Sequence, residues 1–247
     1  MRLIHPVPPS GPAPGDLDPA GLARLYAYPG GPWLRVNMVA SADGGTWLAG
    51  LSGGLSGAGD RRVFGVLRGL CDVILAGAET VRSEGYGPAR PRESWRALRE
   101  GRPAAPAIAV LTRRLELDLD SPLFTEAEPG ARTIVVTCEA APADRRARAA
   151  RHADVIVAGD GRVDLAAAVE ALGERGLERV LCEGGARING QLAAADLVDE
   201  LCLTVSPMLV GGSAVRVLDG PDVLTRLRLA HVLEEDGFLF TRYVRSS

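Results

Sequence analysis

The feature that most constrains the fold is the alternation of short apolar runs with segments of helical periodicity. The apolar runs are, in chain order, WLRVNMVAS, CDVILAG, AIAVLT, TIVVTC, DVIVAG, RVLC and DELCLTVS. Runs that are apolar at nearly every position are typical of strands buried on both faces of a parallel sheet, and the segments between them supply crossover helices. The chain is therefore predicted to form an α/β fold with a mixed, mostly parallel, doubly wound sheet and helices on both faces.

The two ends of the chain depart from this alternation. Residues 226–245, RLRLAHVLEEDGFLFTRYVR, hold two extended runs around Glu-Asp-Gly, which predicts an antiparallel hairpin added to the sheet. Residues 1–32 are rich in proline and glycine, and we interpret them as an N-terminal surface arm. One short helix is predicted in this arm over Pro19–Tyr26, with Asp18 as its N-cap. Residues 33–247 are predicted to form the α/β domain.

Charge and composition argue against several classes of function. A formal net charge of -3 at pH 7 gives no basic surface for nucleic acid. No apolar run approaches the roughly eighteen residues of a membrane span, and no secretory signal begins the chain, so we expect a cytoplasmic protein without a membrane partner. Cys71, Cys138, Cys182 and Cys202 have no CxxC spacing and the three histidines are isolated, so no metal site is predicted. The chemistry is therefore expected to depend on a cofactor.

Functional residues are expected directly after the strands, because ligands of such sheets bind at the carboxyl ends of the strands. Four loops meet this criterion: SADGGTW, GAETVRSEGYGPAR, TRR and EGGARIN. In the last of them, Gly184 and Gly185 open a predicted helix, whose positive end could face an anion such as a pyrophosphate. An ordinary tight turn is the alternative. Neither GxGxxG after the first strand nor GxxxxGK[ST] occurs, which argues against the usual dinucleotide fold and a P-loop.

Charged side chains near these loops are candidates for binding and proton transfer. Arg90 lies in a Gly/Pro-rich loop, and its guanidinium suits bidentate contacts with a phosphate. Arg68 lies in the amphipathic segment RRVFGVLRGL, where it is either a ligand contact or a charge on the helix surface. Glu84 could hold sugar hydroxyls or relay a proton, although a solvated surface loop is the alternative for its segment.

The motifs also occur in the order and approximate spacing of a known family: NMVASADGG, SGGLSG, VLRGLCDVILAGAETVRSEGYGP, VLCEGGARINGQLAAADLVDEL and LTVSPMLVGG. Over about residues 33–245 the chain resembles the reductase domain of the bacterial riboflavin-biosynthesis deaminase/reductase, and more narrowly the stand-alone pyrimidine reductase-like proteins of actinobacteria. The resemblance implies a dihydrofolate reductase-like fold, a homodimer and NADPH. It also implies reduction of the ribosyl group of an aminopyrimidine ribosylamine 5-phosphate to ribityl, by hydride transfer to C1. The HxE and PCxxC motifs of the zinc deaminase half are absent from this sequence.

Residue by residue, the resemblance implies a substrate site and a cofactor site. Substrate contacts fall on Asn37, Ser52, Arg68, Arg90 and Glu183, with the arginines directed chiefly at the phosphate. Cofactor contacts fall on a larger set, which comprises Val39, Ala40, Gly54, Gly77, Thr80, Glu84, Thr112, Gly184, Gly185, Ala186, Arg187, Ile188 and Asn189. Arg113 or Arg114 could meet the 2′-phosphate that separates NADPH from NADH. Glu84 and Glu183 are the candidate catalytic carboxylates.

Three positions depart from the family pattern and leave two alternatives open. Asn37 replaces a lysine that many members carry, Gly45 replaces a basic or polar residue, and Glu84 replaces an aspartate. The first alternative is a dihydrofolate or pteridine reductase, because a shared fold does not fix the substrate. The second is a catalytically weak NADPH-binding regulator, because the loss of a cation at Asn37 removes a possible proton donor.

Overall fold

The computed structural model describes residues 1–5 and 17–246, which divide into two compact units. The first unit takes the described residues of Met1–Pro29, Trp33–Leu67 and Ala186–Ser247, and the second consists of Gly30–Pro32 and Arg68–Gly185. The proline-rich residues 6–16 of the predicted arm lie outside the described part of the chain, as does residue 247.

Ten strands and seven α-helices make up the described residues. The strands are β1 (Arg2–His5), β2 (Trp33–Ser41), β3 (Val73–Gly77), β4 (Ala107–Leu111), β5 (Ile134–Thr137), β6 (Asp154–Val157), β7 (Arg179–Cys182), β8 (Glu200–Ser206), β9 (Leu227–Glu235) and β10 (Phe238–Arg245). The helices are α1 (Pro19–Leu25), α2 (Ala58–Leu70), α3 (Ala78–Ser83), α4 (Pro122–Thr125), α5 (Ala143–His152), α6 (Leu165–Gly173) and α7 (Ala186–Ala194).

In the second unit the strands lie in the order β7-β3-β4-β5-β6, and every neighbouring pair is parallel. All residues of β3, β4 and β5 are buried, which confirms the prediction of strands covered on both faces. Because the strands are parallel, the residues that follow β7, β3 and β4 meet at one edge of this sheet. Three of the four predicted functional loops therefore begin at the same edge.

In the first unit the strand order is β1-β9-β10-β8-β2. Strands β2 and β8 are parallel, whereas β8, β10, β9 and β1 pair in antiparallel fashion. The predicted C-terminal hairpin is confirmed as β9 and β10. Asp236 and Gly237 connect them with φ values of 52° and 80°, the left-handed pair that a tight two-residue hairpin turn requires. The whole is thus an α/β fold with mostly parallel strands and an antiparallel C-terminal hairpin.

A buried ion-pair network joins β2, β8 and β10 in the first unit. The Glu200 carboxylate accepts hydrogen bonds from Arg35 Nε at 2.6 Å, from Arg242 Nε at 2.8 Å and from Trp33 Nε1 at 2.9 Å. The side chains of Arg35 and Glu200 are fully buried. Burial alone would favour the neutral acid, but the two guanidinium groups hold the pKa of Glu200 below its usual value. The network therefore fixes three neighbouring strands through one carboxylate.

Helix α5 and strand β1 are among the described elements that the pattern of apolar runs does not reveal. Helix α5 has the sequence ADRRARAARH and buries only Ala149, so it has no apolar stripe that periodicity could reveal. Strand β1 is four residues long and pairs with β9 at the edge of its sheet. The predicted helix after Asp18 is present as α1, and the Asp18 side chain accepts a hydrogen bond from the Gly21 N–H. Among the described helices, none has the length and apolar character needed to cross a membrane.

Candidate functional site

The turn after β7 lies against the segment that follows β3 in the second unit. The Gly77 N–H donates to the Gly184 carbonyl oxygen at 2.8 Å, and the peptide bond between Gly184 and Gly185 is cis. Gly184 has a φ of 85°, a left-handed value that glycine adopts without strain. A Cβ on Gly185 would lie 3.0 Å from Thr80 Oγ1. The left-handed backbone therefore favours glycine at position 184, and the approach of Thr80 leaves little room for a side chain at position 185.

The side chain of Glu183, at the start of this turn, forms a cluster with Arg68 and Tyr86. Arg68 donates through Nε to Glu183 Oε1 at 2.8 Å and through Nη2 to Oε2 at 2.7 Å. The Tyr86 hydroxyl donates to Oε2 at 2.6 Å. The side chain of Glu183 is 2% exposed and that of Arg68 is 15% exposed. We call these three residues the carboxylate cluster.

Burial and neighbouring charge shift the pKa of four side chains in this region, those of Arg68, Tyr86, Cys71 and Cys182. Burial opposes the charge of Arg68, but the Glu183 carboxylate outweighs it and raises the pKa of the guanidinium. Burial, followed by the charge of Glu183, raises the pKa of Tyr86 well above its usual value. Burial also raises the pKa of Cys71 and of Cys182 to about 12. At neutral pH the arginine is charged, the phenol is protonated and neither thiol is a nucleophile.

Two arginines between α3 and β4 hold the end of the helix that carries Arg68. Arg99 donates to the Cys71 carbonyl oxygen at 2.6 Å, and Arg102 donates to the Leu70 carbonyl oxygen at 2.9 Å. The last carbonyls of a helix have no intrahelical partner, and cationic donors satisfy them and match the helix dipole. The sequence analysis did not predict a role for Arg99 or Arg102, because no sequence motif marks an arginine that binds backbone carbonyl oxygens.

The predicted phosphate ligand Arg90 has anionic partners in the second unit. Its guanidinium contacts Glu126, donates to the Glu126 carbonyl oxygen at 3.1 Å and lies 3.5 Å from a Glu128 oxygen. The Arg90 side chain is half exposed, so these pairs are weak and screened. A role in phosphate binding would require Arg90 to leave them.

Other predicted residues of the second unit follow β3 and β4. Glu84 caps the end of α3, where its N–H donates to the Thr80 carbonyl oxygen at 2.9 Å. Thr112 is buried directly after β4, and its hydroxyl accepts a hydrogen bond from the Leu115 N–H at 3.0 Å. Arg113 is exposed beside it. Thr112 therefore organises its own turn.

In the first unit, three predicted residues lie on β2. Asn37 pairs with Cys202 of β8 and Val39 pairs with Thr204, and both residues are partly exposed. Successive side chains of a strand point to opposite faces, so Asn37 and Val39 share one face and the buried Ala40 lies on the other.

The loop after β2 is anchored to the segment that follows β8. The Asp43 carboxylate accepts hydrogen bonds from Ser41 Oγ at 2.6 Å and from the N–H groups of Val210 at 3.1 Å and Gly211 at 2.8 Å. These bonds, that of Ser41 foremost, lower the pKa of Asp43 to about 2. A Cβ on Gly45 would lie 2.5 Å from Val210 Cγ2. Close packing of the two loops therefore favours glycine at position 45 in this chain.

Two further predicted residues lie at a short 3-10 turn, Gly53–Leu55. The Ser52 carbonyl oxygen accepts the Leu55 N–H at 2.9 Å, and the Ser52 residue is partly exposed. Gly54 is exposed, and a Cβ there would approach Leu48 at 3.4 Å, an ordinary van der Waals distance.

The start of α7 contacts the segment before β9. The Asp219 N–H donates to the Ala186 carbonyl oxygen at 3.0 Å, and an exposed ion pair of 3.5 Å joins Arg187 to Asp219. Asn189 is fully buried, and its Nδ2 donates to the Val217 carbonyl oxygen at 3.1 Å. Asn189 therefore holds this segment against the helix.

Substitution of Gly190 by alanine is expected to lower the free energy of unfolding by about 1–3 kcal/mol. The new Cβ would lie 2.4 Å from the Asp219 carbonyl oxygen, a backbone atom that cannot rotate away. Urea unfolding followed by circular dichroism measures the loss. The matched control is Gly173→Ala in α6, where no atom lies within 4 Å and the change should be neutral or stabilising. Equal losses in both variants would contradict the expectation.

Comparisons with known proteins add to this geometry. Residues 32–237 match the model of the RibD C-terminal domain family. The chain is 32% identical over 193 residues to the 2,5-diamino-6-ribosylamino-4(3H)-pyrimidinone 5′-phosphate reductase of Methanothermobacter thermautotrophicus, covering 78% of this chain and 86% of the relative. It is 33% identical over 175 residues to the reductase of the same name from Aquifex aeolicus, covering 70% and 74%.

The solved structures of similar fold include one whose sequence is more than 25% identical to this chain. A pyrimidine reductase-like protein from Corynebacterium diphtheriae matches with a TM-score of 0.79 and 28% identity, covering 87% of this chain and 92% of that chain. Acinetobacter baumannii RibD matches with a TM-score of 0.71 and 21% identity, covering 88% of this chain and 58% of that chain. The second match concerns the fold alone.

Proposed function

Because the chain belongs to the RibD C-terminal domain family and is similar to pyrimidinone phosphate reductases, we infer that it is an oxidoreductase of riboflavin biosynthesis. We propose that it reduces the ribosyl group of a phosphorylated aminopyrimidine ribosylamine to ribityl. In this reaction a hydride is added to C1, the bond between C1 and the ring oxygen breaks, and that oxygen takes a proton. The observation that carries the proposal is the carboxylate cluster. In it, Glu183 follows β7 at the end of the sheet where the predicted loops begin, and it holds the charged guanidinium of Arg68 in a fixed orientation.

NADPH is the proposed cofactor, and it would supply the hydride when bound. The residues that suit its phosphates are the two glycines after β7 and the first residues of α7, since a helix start offers N–H donors and a positive end to an anion. The left-handed Gly184 supports this assignment, because a side chain there would strain the turn. The residues proposed for this role are Gly184, Gly185, Ala186, Arg187 and Ile188. The other predicted cofactor contacts stay predictions.

Arg68 is the residue that we propose for the substrate phosphate. A guanidinium fixed by a carboxylate is pre-organised for a second anion and loses little entropy on binding it. Glu183 receives three hydrogen bonds in this cluster, which favours a role in holding Arg68 over one in moving a proton. Glu84 then stays the candidate for proton transfer.

We also propose a homodimer in the cytoplasm. Leu209 is 80% exposed and Leu224 is 87% exposed in the first unit. An interface between two copies would cover these apolar side chains.

The proposed reaction is tested by following NADPH absorbance with separate substrates. We expect oxidation with 2,5-diamino-6-ribosylamino-4(3H)-pyrimidinone 5′-phosphate or its deaminated aminouracil form, and none with dihydrofolate. Oxidation with dihydrofolate alone would replace the proposal by the pteridine alternative. Saturable NADPH binding without oxidation of any substrate would instead favour the regulator.

A further inference from the structure

The end of helix α3 carries an aromatic residue, Tyr86, that the sequence analysis did not assign to the site. Gly85 has a φ of 62°, and the Tyr86 N–H donates to the Val81 carbonyl oxygen at 3.0 Å. A glycine in the left-handed conformation followed by this bond is the Schellman motif, which ends a helix and turns the chain back across its last turn. The backbone of Glu84, Gly85 and Tyr86 therefore fixes the position of the Tyr86 Cα atom, from which the side chain extends.

The Tyr86 hydroxyl completes the coordination of the Glu183 carboxylate. Glu183 Oε2 accepts both Tyr86 OH at 2.6 Å and Arg68 Nη2 at 2.7 Å, whereas Oε1 accepts Arg68 Nε at 2.8 Å. The Tyr86 ring also lies 5.4 Å from Arg68 Cζ. Two donors from different directions on one oxygen prevent the carboxylate from rotating, and a fixed carboxylate fixes the plane of the guanidinium.

We propose that Tyr86 is a positioning residue, which orients Arg68 through Glu183 for recognition of the substrate phosphate. This inference rests on the proposed function, in which Arg68 binds that phosphate. The phenol suits the role because it is a neutral donor that stays protonated at neutral pH. It adds no charge to compete with the phosphate for the arginine.

The test compares the wild type with Tyr86→Phe, which removes only the hydroxyl. We expect KM for the phosphorylated substrate to rise about 5- to 10-fold, with little change in kcat. This is less than the loss of a hydrogen bond made directly to the phosphate, because Tyr86 acts only through Glu183. The dephosphorylated substrate should show no change in KM, because it has no phosphate for Arg68 to bind. The matched control is Tyr243→Phe on β10, which should leave both substrates unaffected. An equal loss for both substrates, or none for either, would overturn the proposal.

A binding measurement separates this inference from the proposed reaction. Ribose 5-phosphate is titrated into the wild type, Tyr86→Phe and Tyr243→Phe by calorimetry. We expect only Tyr86→Phe to bind it about 5- to 10-fold more weakly. If the wild type oxidises no NADPH but shows this difference, the reaction is wrong and the role of Tyr86 stands. Equal affinities, or no binding by the wild type, mean that Tyr86 does not act on phosphate recognition.

Discussion

Replacement of Arg68 by alanine is expected to raise KM for the phosphorylated substrate by about 10- to 100-fold, with kcat and the Kd of NADPH nearly unchanged. Hydrogen bonds to charged groups contribute roughly 1.5–3 kcal/mol, which corresponds to that range. A phosphate contact far from C1 contributes equally to ground-state and transition-state binding, so the change falls on KM. The variant should also be less stable, because Glu183 is left buried without its cation.

Steady-state kinetics and a separate NADPH titration distinguish this effect from a general loss of structure. The matched control is Arg61→Ala, which removes an exposed arginine from the same helix and should change neither constant. Arg68→Lys keeps the charge but cannot reproduce the two parallel bonds to Glu183, so it should recover only part of the affinity. A fall in NADPH affinity with an unchanged KM would show that Arg68 serves the cofactor instead.

Replacement of Glu200 by glutamine is expected to lower the free energy of unfolding by about 3–5 kcal/mol. The fully buried carboxylate neutralises part of the charge of Arg35 and Arg242, and glutamine cannot do so while also accepting all their hydrogen bonds. The guanidinium groups of the buried Arg35 and the partly buried Arg242 would then repel each other. Urea unfolding of the wild type and the variant measures the difference.

The control for Glu200→Gln is Glu234→Gln. Glu234 pairs with Arg2, whose side chain is 60% exposed, and surface pairs of this kind contribute at most about 1 kcal/mol. The same substitution is thus made in a buried and in an exposed ion pair. Equal losses at the two positions would mean that burial does not determine how much the Glu200 network contributes to the free energy of unfolding.

The main elements of the fold could be predicted because strands that are buried on both faces require apolar residues at nearly every position. Strands β3 and β4 are apolar at every buried position, and the Asp236–Gly237 turn has the residue type that its left-handed backbone needs. Helix α5 could not be predicted in this way, because it buries one alanine and has no apolar stripe. The course of residues 6–16 lies outside the described part of the chain, so the boundary of the arm at residue 32 stays a prediction.

The candidate site was predictable where the backbone dictates residue type. Gly184 and Gly185 follow a buried strand, and the left-handed φ of Gly184 shows why a side chain does not suit that position. Contacts between distant segments were not predictable: Tyr86 and Glu183 are 97 positions apart, and no local pattern connects them. The ion pairs of Arg90 likewise involve glutamates that have no motif.

The order in which the chain is synthesised determines when the carboxylate cluster can form. Arg68 and Glu183 are 115 positions apart. A ribosome adds roughly 5–20 residues per second, so the arginine is synthesised about 6–23 s before its carboxylate. During that interval the nascent chain can form α2 and the turn after α3, but not the pair that orients the guanidinium. The cluster can therefore form only after Glu183, directly behind strand β7, has been translated.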